Sequence, residues 1–352
     1  MAELLEYLTR VVKDEGSDMF IIAGSPVCEK LGVRMQPIGA DRVTPEESER
    51  LIAAIYAQAN RPIDGFRARG DDDFSFSVAG LARFRVNAYR QRGSMAAVIR
   101  VVAFGIPDWR SVDIPTRVID LADERSGMIL VTGKAGSGKS TTQACIIDRI
   151  NRTRECHIIT MENPIEYLHR NQRSVISQRE ISIDTEDYIS GLRACLRQAP
   201  DVILLGEMRD HETILTAMTA AETGHLLIAT LHTKGAVNAI DRIIDSFPSE
   251  QQAQVRIQLS MVLRTVVSQQ LIVGENGGLV PAFEVMHATS GIKGLIRDGK
   301  SHQIDNAIAA GGAEGMISMD QSILALCQAG KISRETALAH ADNPELLRRR
   351  LG

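Results

Sequence analysis

The sequence has few of the features that mark an extracellular or membrane-spanning protein. Its five cysteines form no Cys-x-x-Cys pair, which excludes a disulfide framework and a cysteine zinc site. It has no run of about 18 apolar residues, so we expect no direct membrane insertion. Its net charge is −4, and it lacks a basic strand studded with aromatic residues, which argues against nucleic acid as a partner.

The amino terminus also lacks a targeting pattern. Residues 1–6 are acidic and do not form a basic segment followed by an apolar one, so we expect no signal peptide and a cytoplasmic location. The length of 352 residues exceeds the size at which a single hydrophobic core stops growing. Because hydrophobic and charged residues occur at ordinary globular levels, 44% and 24%, we predict a soluble protein of two domains.

A phosphate-binding loop is the most specific pattern in the chain. Residues 133–140 fit G-x-x-x-x-G-K-[ST], between an apolar run at 128–131 and a helix-like stretch at 141–147. In this context the glycines let backbone N–H groups face phosphate oxygens, and the start of the helix adds partial positive charge. The alternative, a glycine-rich turn without a ligand, does not need the flanking strand and helix. We therefore predict that ATP binds to Gly133, Lys134, Ala135, Gly136, Ser137, Gly138, Lys139, Ser140 and Thr141.

The first hundred residues predict a small α+β unit. A capping box at residues 44–47 opens a helix that runs to about Ala59. Alternating apolar residues then predict strands that lead into a hairpin centred on residues 92–93. In a symmetric hairpin Arg85 and Arg100 lie directly opposite each other, and because like charges destabilise a sheet, this pair invites an anion. Two solvated arginines in a shifted register are the alternative.

After a linker at about 105–109, the chain alternates strand and helix patterns. This alternation predicts an α/β fold with a parallel sheet. Buried strands are predicted at 128–131, 156–160, 202–205 and 226–231. A helix is predicted from Pro248 to about Gln270, and a last helix from Asn343 ends in three arginines that complement its dipole.

Polar clusters flank the buried strands of this second half. Glu162 and Glu166 follow the second strand, Glu207 follows the third, and His225 and His232 bracket the fourth. Because open α/β sheets bind ligands at strand ends, these groups indicate a hydrolytic site beside the phosphate loop. Glu207 suits a group that polarises the attacking water or holds Mg²⁺ through water. We expect His232 to sense the γ-phosphate; zinc held by the two histidines is the alternative, which no further spacing supports.

Four motifs occur in an order that resembles the secretion and pilus-motor ATPases. They are the phosphate loop, an acidic box at 160–167, a Walker B segment at 202–210 and a histidine box at 223–233. Shorter stretches at 83–87, 197–201 and 294–297 are also similar, so the resemblance covers nearly the whole chain. It implies a RecA-like P-loop ATPase core, a smaller α+β, PAS-like N-terminal domain and a helical C-terminal tail.

The resemblance also implies domain limits and an assembly. The PAS-like domain would cover 1–104, a linker 105–112, the ATPase core 113–285 and the helical C-terminal region 286–352. Members of the family form a homo-hexamer, peripheral at the cytoplasmic face of the inner membrane, on a platform protein of the pilus machine (PilC-like). The cofactors implied are ATP and Mg²⁺.

Site residues follow from the same resemblance. In it Lys139 reaches the β- and γ-phosphates, Ser140 ligates Mg²⁺, and Glu207 orients water and contacts Mg²⁺ through water. Arg85 and Arg100 match arginines that reach a nucleotide held between subunits. The full catalytic set is Glu207, Glu162, Glu166, His232, His225, Arg85 and Arg100.

A short N-terminal region and the absence of a four-cysteine zinc insertion favour the pilus retraction branch of the family, which drives pilus disassembly and twitching motility. The sequence departs from that branch at Asn163, where the family has Asp, and at Gly291 and Gly294, which lower helix propensity. An assembly or secretion ATPase, a DNA-translocating relative, a small-molecule kinase and a non-hydrolysing regulator of a pilus motor are the alternatives.

Overall fold

The computed structural model describes residues 2–32, 34–102 and 105–351. It divides into two compact units, Met1–Gly105 with Glu166–Leu168, and Ile106–Ile165 with His169–Gly352. The predicted end of the first domain, at residue 104, lies outside the described residues. The other predicted domain limits, and the PAS-like character of the first domain, stay predictions.

The N-terminal unit combines helices with an antiparallel sheet. Its elements in chain order are α1 (Ala2–Lys13), β1 (Asp18–Ile22), β2 (Cys28–Leu31), β3 (Arg34–Pro37), α2 (Pro45–Gln58), α3 (Asp64–Arg69), β4 (Asp71–Val78), β5 (Ala82–Gln91) and β6 (Ser94–Val102). Its strands are hydrogen-bonded in the order β3-β2-β1-β6-β5-β4 over the described residues.

Local signals determine much of this unit. The Thr44 hydroxyl accepts a hydrogen bond from the Glu47 N–H, and the Glu47 carboxylate accepts one from the Thr44 N–H, so the predicted capping box and the helix that it opens are confirmed. The predicted hairpin is confirmed as well, because β5 and β6 pair antiparallel about residues 92–93. Strands β1 to β3 had no counterpart in the sequence-based prediction.

The second unit is built on a mostly parallel sheet. Its elements in chain order are α4 (Thr116–Ile119), β7 (Gly127–Thr132), α5 (Lys139–Thr153), β8 (His157–Glu162), β9 (Val175–Glu180), α6 (Tyr188–Cys195), β10 (Val202–Leu205), α7 (His211–Glu222), β11 (Leu226–Leu231), α8 (Ala236–Asp245), α9 (Ser249–Val262), β12 (Leu263–Val273), β13 (Leu279–His287), α10 (Ser290–Arg297), α11 (Ile304–Ala310), α12 (Met319–Gln328), α13 (Arg334–His340) and α14 (Pro344–Leu351). Its strands are hydrogen-bonded in the order β13-β12-β7-β11-β10-β8-β9 over the described residues, and only β13 runs antiparallel to its neighbour.

Hydrophobic clusters cover both faces of this sheet, which explains why its central strands are apolar without alternation. In β7, Met128 and Leu130 pack with helices α6 to α9, whereas Ile129 and Val131 pack with α5 on the opposite face. The predicted α/β fold with a parallel sheet is therefore confirmed. None of the helices in the described ranges is long and apolar enough to cross a membrane.

The helix predicted from Pro248 to about Gln270 is wrong in its second half. Helix α9 ends at Val262, and the chain continues as the strand β12, which pairs in parallel with β7. Val266 and Val267 are fully buried on opposite faces of that strand. Because its β-branched residues fill a two-sided core position, pairing with β7 overrides the helical pattern that precedes it.

Helix α10 forms although it contains Gly291 and Gly294. Thr289 caps it by accepting a hydrogen bond from the Ile292 N–H. Ile292 and Ile296, one turn apart, are both buried against the main core. Burial of this apolar face offsets the low helix propensity of the two glycines.

Candidate active site

The phosphate loop connects the carboxyl end of β7 to the first turn of α5. Three of its glycines have positive φ angles, 145° at Gly133, 75° at Gly136 and 87° at Gly138. A Cβ atom on Gly133 would collide with the backbone oxygen of Gln269, and one on Gly138 would lie 2.7 Å from the Gln269 Nε2 atom. The loop therefore depends on glycine both for its backbone shape and for its close approach to β12.

Lys139 lies in the first turn of α5, with its side chain folded over the loop. Its Nζ atom donates to the backbone oxygens of Gly133 and Lys134, each at 2.9 Å, and the residue is only 7% exposed. Gly138 occupies the N-cap position of α5, and as a glycine it offers no side chain to cap the helix. The loop thus combines a buried ammonium with helix N–H groups, which is the chemistry of a phosphate site.

Acidic and imidazole side chains lie at the same edge of the sheet. Strands β8, β10 and β11 are parallel neighbours, with Leu205 paired to Met161 on one side and Ala229 on the other. Glu162, Glu207 and His232 therefore come at or just after the carboxyl ends of adjacent strands. The structure brings these three predicted residues together at the edge where β7 delivers the phosphate loop.

Glu207 is held between two partners. Its Oε1 atom lies 3.5 Å from the His232 Nε2 atom, and its Oε2 atom accepts a hydrogen bond of 2.7 Å from the Arg209 Nε–H. The hydrogen bond that Arg209 donates to the Glu207 carboxylate raises the pKa of Arg209 above its ordinary value. The backbone around Glu207 is tied to β11, because Thr230 bonds to the Gly206 oxygen and accepts from the Met208 N–H.

Glu162 is supported by two donors. Its Oε1 atom accepts a 2.6 Å hydrogen bond from the Thr160 hydroxyl and a 3.3 Å bond from the Gln178 side-chain amide. Glu166, in contrast, is exposed and belongs to the segment Glu166–Leu168, which clusters with the N-terminal unit. Asn163 precedes Pro164 through a cis peptide bond. The structure therefore places Glu162 at the carboxyl edge of the sheet, while a catalytic role for Glu166 stays a prediction.

The structure does not bring His225 to this edge. His225 precedes β11, so it lies at the amino end of the strand, where its oxygen accepts a 3.0 Å bond from the Gly127 N–H. Its Nδ1 atom lies 2.9 Å from the Ala220 oxygen. A strand of six residues separates His225 from His232 by about 20 Å. His225 therefore does not lie at the strand end that carries His232, and the two histidines of one chain cannot share a zinc ion. A catalytic role for His225 stays a prediction.

In the N-terminal unit, Arg85 and Arg100 are paired residues of the β5–β6 hairpin, as the sequence predicted. Each has its own carboxylate partner: Arg85 bonds to Asp73 through two nitrogens, at 2.6 and 3.1 Å, and Arg100 bonds to Asp18 at 2.9 Å. These carboxylates offset the repulsion between the two arginines. Their guanidinium groups remain accessible, since the side chains are 38% and 65% exposed.

The C-terminal region also reaches the phosphate loop. A cavity of about 350 Å³ is lined by loop residues 133–137 and by Lys234, Leu271 and His340. The Lys234 Nζ atom lies 2.5 Å from an Asp342 carboxylate oxygen. The end of helix α13 therefore lies close to the loop after His232, and an ion pair connects Lys234 of that loop to Asp342.

Comparison with known proteins identifies the family of this chain. The model described as type II/IV secretion system protein matches residues 3–288 of this chain. The chain belongs to the type II/IV secretion system protein family. It is 41% identical over 344 residues to the type IV pilus retraction ATPase PilT of Pseudomonas aeruginosa, covering 97% of this chain and 99% of that one.

Two further comparisons also point to pilus motor proteins. A twitching motility protein of Neisseria gonorrhoeae is 41% identical over 312 residues, covering 88% of this chain and 83% of that one. A crystal structure of the pilus retraction motor PilT with bound ADP matches with a TM-score of 0.90 and 40% identity, covering 98% of each chain. Together with the phosphate loop and the acidic strand ends, these matches make the chain a P-loop ATPase.

Three site residues of this family member were missed by sequence reasoning. Gln178 on the edge strand β9 supports Glu162, Gln269 on β12 contacts the phosphate loop, and Tyr188 lies against Gly206. Burial, with a further contribution from Glu207, raises the pKa of Tyr188 above its ordinary value. Each is a single polar residue without a motif around it, so only the packing of neighbouring strands and helices identifies it.

Proposed function

We propose that this chain hydrolyses ATP with Mg²⁺ as a hexameric ring, and that the ring drives retraction of a type IV pilus at the cytoplasmic face of the inner membrane. The names of the relatives support the retraction role, because PilT matches extend over nearly the whole chain. The observation in this chain that carries the proposal is the shared strand edge, where the phosphate loop, Glu162, Glu207 and His232 end neighbouring strands.

The oxygen donors at this edge fit Mg²⁺. Mg²⁺ in phosphoryl-transfer sites takes one or two protein oxygens together with substrate phosphates and waters. Ser140 offers a hydroxyl in the first turn of α5, and Glu207 and Glu162 offer carboxylates. The residues that the structure describes contain no group of three or more His, Cys, Asp or Glu able to hold a metal alone, which suits a metal bound together with ATP. When bound, Mg²⁺ would offset charge on the phosphates.

The remaining steps belong to side chains of this chain. Lys139 would exchange its bonds to the loop oxygens for bonds to the β- and γ-phosphates. Glu207 would orient the attacking water and accept its proton, while Arg209 keeps one carboxylate oxygen fixed. His232, 3.5 Å from the other oxygen, would register whether the γ-phosphate is present.

Arg85 and Arg100 would complete the site of a neighbouring subunit. Because both guanidinium groups are accessible, they can leave Asp73 and Asp18 for the terminal phosphate of a nucleotide held by the next chain. An arginine supplied in this way raises the rate of phosphoryl transfer by about 10³–10⁵. The partner of the assembled ring would be the inner-membrane platform protein of the pilus machine.

A pair of measurements tests this function. Deleting the gene should leave more surface pili if the protein retracts them, whereas an assembly ATPase would leave none. Purified protein should release phosphate from ATP in the presence of Mg²⁺, and Lys139→Ala should abolish the release. Wild-type protein that binds ATP without releasing phosphate would instead identify a non-hydrolysing regulator.

A further inference from the structure

Gln269 is buried between the two ends of the phosphate loop. The residue is 3% exposed and lies on β12, the strand beside β7. Its backbone oxygen is the atom that a Cβ on Gly133 would strike, and its side-chain nitrogen is the one nearest to a Cβ on Gly138. The glycines at both ends of the loop thus pack against the same residue.

A buried hydrogen bond connects Gln269 to helix α5. The Thr142 hydroxyl donates to the Gln269 Oε1 atom at 2.7 Å, and Thr142 is fully buried. Thr142 follows Lys139 by three residues, so it lies on the first turn of the helix that carries the phosphate-binding lysine. Buried polar atoms must be paired, and each of these two provides the other with a partner.

Residue Ser268, next to Gln269, makes the matching contact on the other side of the sheet. The Ser268 hydroxyl accepts a 3.0 Å hydrogen bond from the Gly235 N–H, in the loop that follows His232. Successive residues of a strand point to opposite faces, so one dipeptide of β12 holds both loops that flank the site.

We propose that Gln269 is a positioning residue for nucleotide binding: through Thr142 it holds the phosphate loop and the first turn of α5 in the shape that accepts phosphates. In this role Gln269 acts through the loop and through the first turn of α5. This inference rests on the proposed ATP hydrolysis, and it assigns the pre-organisation of the loop to β12. A loop that is held before the nucleotide arrives loses less conformational entropy on binding.

The test compares variants that keep the shape but remove the bond. Thr142→Val removes the hydroxyl, Gln269→Met removes the acceptor, and Thr142→Ser keeps the hydroxyl. Thr265→Val is the matched control, because Thr265 is 1% exposed on the same strand and bonds to His287 at 3.0 Å instead of to the loop. ADP affinity, the KM and kcat for ATP, and the melting temperature without nucleotide are measured for the intact protein.

We expect Thr142→Val and Gln269→Met each to weaken ADP binding and raise the KM for ATP by about 3- to 10-fold, since one net hydrogen bond is lost, with kcat within about twofold. The double variant should lose no more ADP affinity than either single variant does. Thr142→Ser, which keeps the hydroxyl, should retain most of the wild-type affinity. Thr265→Val should lower the melting temperature about as much as Thr142→Val does, but it should leave ADP affinity unchanged.

Unchanged ADP affinity in both variants of the Thr142–Gln269 pair would overturn the inference and leave the ATPase function intact. Equal loss of ADP affinity in Thr265→Val would also overturn it, because that result would assign the effect to general destabilisation. Wild-type protein that binds no nucleotide would overturn both the inference and the proposed function. If one of the two variants fails to fold, the other still decides between these results.

Discussion

The Oε1 atom of Glu207 lies 3.5 Å from the Nε2 atom of His232, so the ends of two neighbouring parallel strands meet at one carboxylate. The second carboxylate oxygen is occupied by Arg209 at 2.7 Å. This arrangement gives each oxygen of Glu207, the proposed base, a partner, and it connects Glu207 to the loop after β11.

The first prediction concerns the carboxylate of Glu207. Glu207→Gln keeps the size of the side chain but removes the group that accepts the water proton, so kcat should fall by about 10²–10⁴ while ADP affinity stays within about twofold. Glu212→Gln is the control, because Glu212 is an exposed carboxylate of the next helix that faces Arg193. Wild-type turnover by Glu207→Gln in a phosphate-release assay would remove Glu207 from this role.

A second prediction concerns Glu284, a carboxyl group that is 5% exposed on β13. Its Oε1 atom accepts a 2.8 Å bond from the Ala236 N–H, and burial, with the charges of Asp305 and Asp342, raises its pKa to about 7. The folded protein therefore binds more protons than the unfolded chain between pH 4.5 and about 7, so stability should fall as pH rises through that window. At about 1.36 kcal/mol per pKa unit, the rise in the pKa of Glu284 corresponds to a change of about 3 kcal/mol in unfolding free energy.

Urea unfolding at several pH values checks this prediction against Glu284→Gln, which cannot ionise. The difference in unfolding free energy between the two proteins should change across the window, with wild type losing stability relative to the variant as pH rises. Parallel pH profiles for the two proteins would show that Glu284 does not titrate in this range.

The third prediction concerns Gly294, one of the two glycines of α10. A Cβ on Gly294 would meet nothing closer than an Arg297 nitrogen at 3.9 Å, and its backbone is not in the positive-φ region. Gly294→Ala should therefore stabilise the protein by about 0.4–1 kcal/mol, because it restricts the unfolded chain without strain in the helix. Gly299→Ala is the contrasting control, since Gly299 has a φ of 70° and should be destabilised by the same substitution. A lower melting temperature for Gly294→Ala would contradict this account of α10.

Features that depend on residues close together in the chain could be predicted from the sequence, and their predicted positions agree with the structure. The capping box at Thr44 and the register of Arg85 opposite Arg100 follow from residues close together in the chain. The strands that flank Glu162 and Glu207 were recognisable because a fully buried parallel strand is a short apolar run. Such signals do not depend on the rest of the fold.

Features that depend on pairing between strands far apart in the sequence could not be predicted. The chain from Leu263 to Val273 becomes a strand because it pairs with β7, which is distant in sequence, so the helical pattern before it misled the prediction. The role of Gln269 depends on that same pairing. His225 lies away from His232 for another reason: it precedes β11, and only residues after a parallel strand reach the ligand-binding edge.

The central claim is that ATP is hydrolysed between subunits, with Lys139 and Glu207 from one chain and Arg85 and Arg100 from the next. Arg85→Ala and Lys139→Ala proteins should each be inactive as assembled rings. Arg67→Ala, an exposed arginine of the N-terminal unit that is paired with Glu49, is the control and should keep its activity.

Mixing the two inactive proteins is the most direct measurement. In rings that contain both variants, some sites receive an intact Lys139 from an Arg85→Ala chain and an intact Arg85 from a Lys139→Ala chain, so phosphate release should return in part. Mixed rings that are shown to form and still release no phosphate would contradict the account.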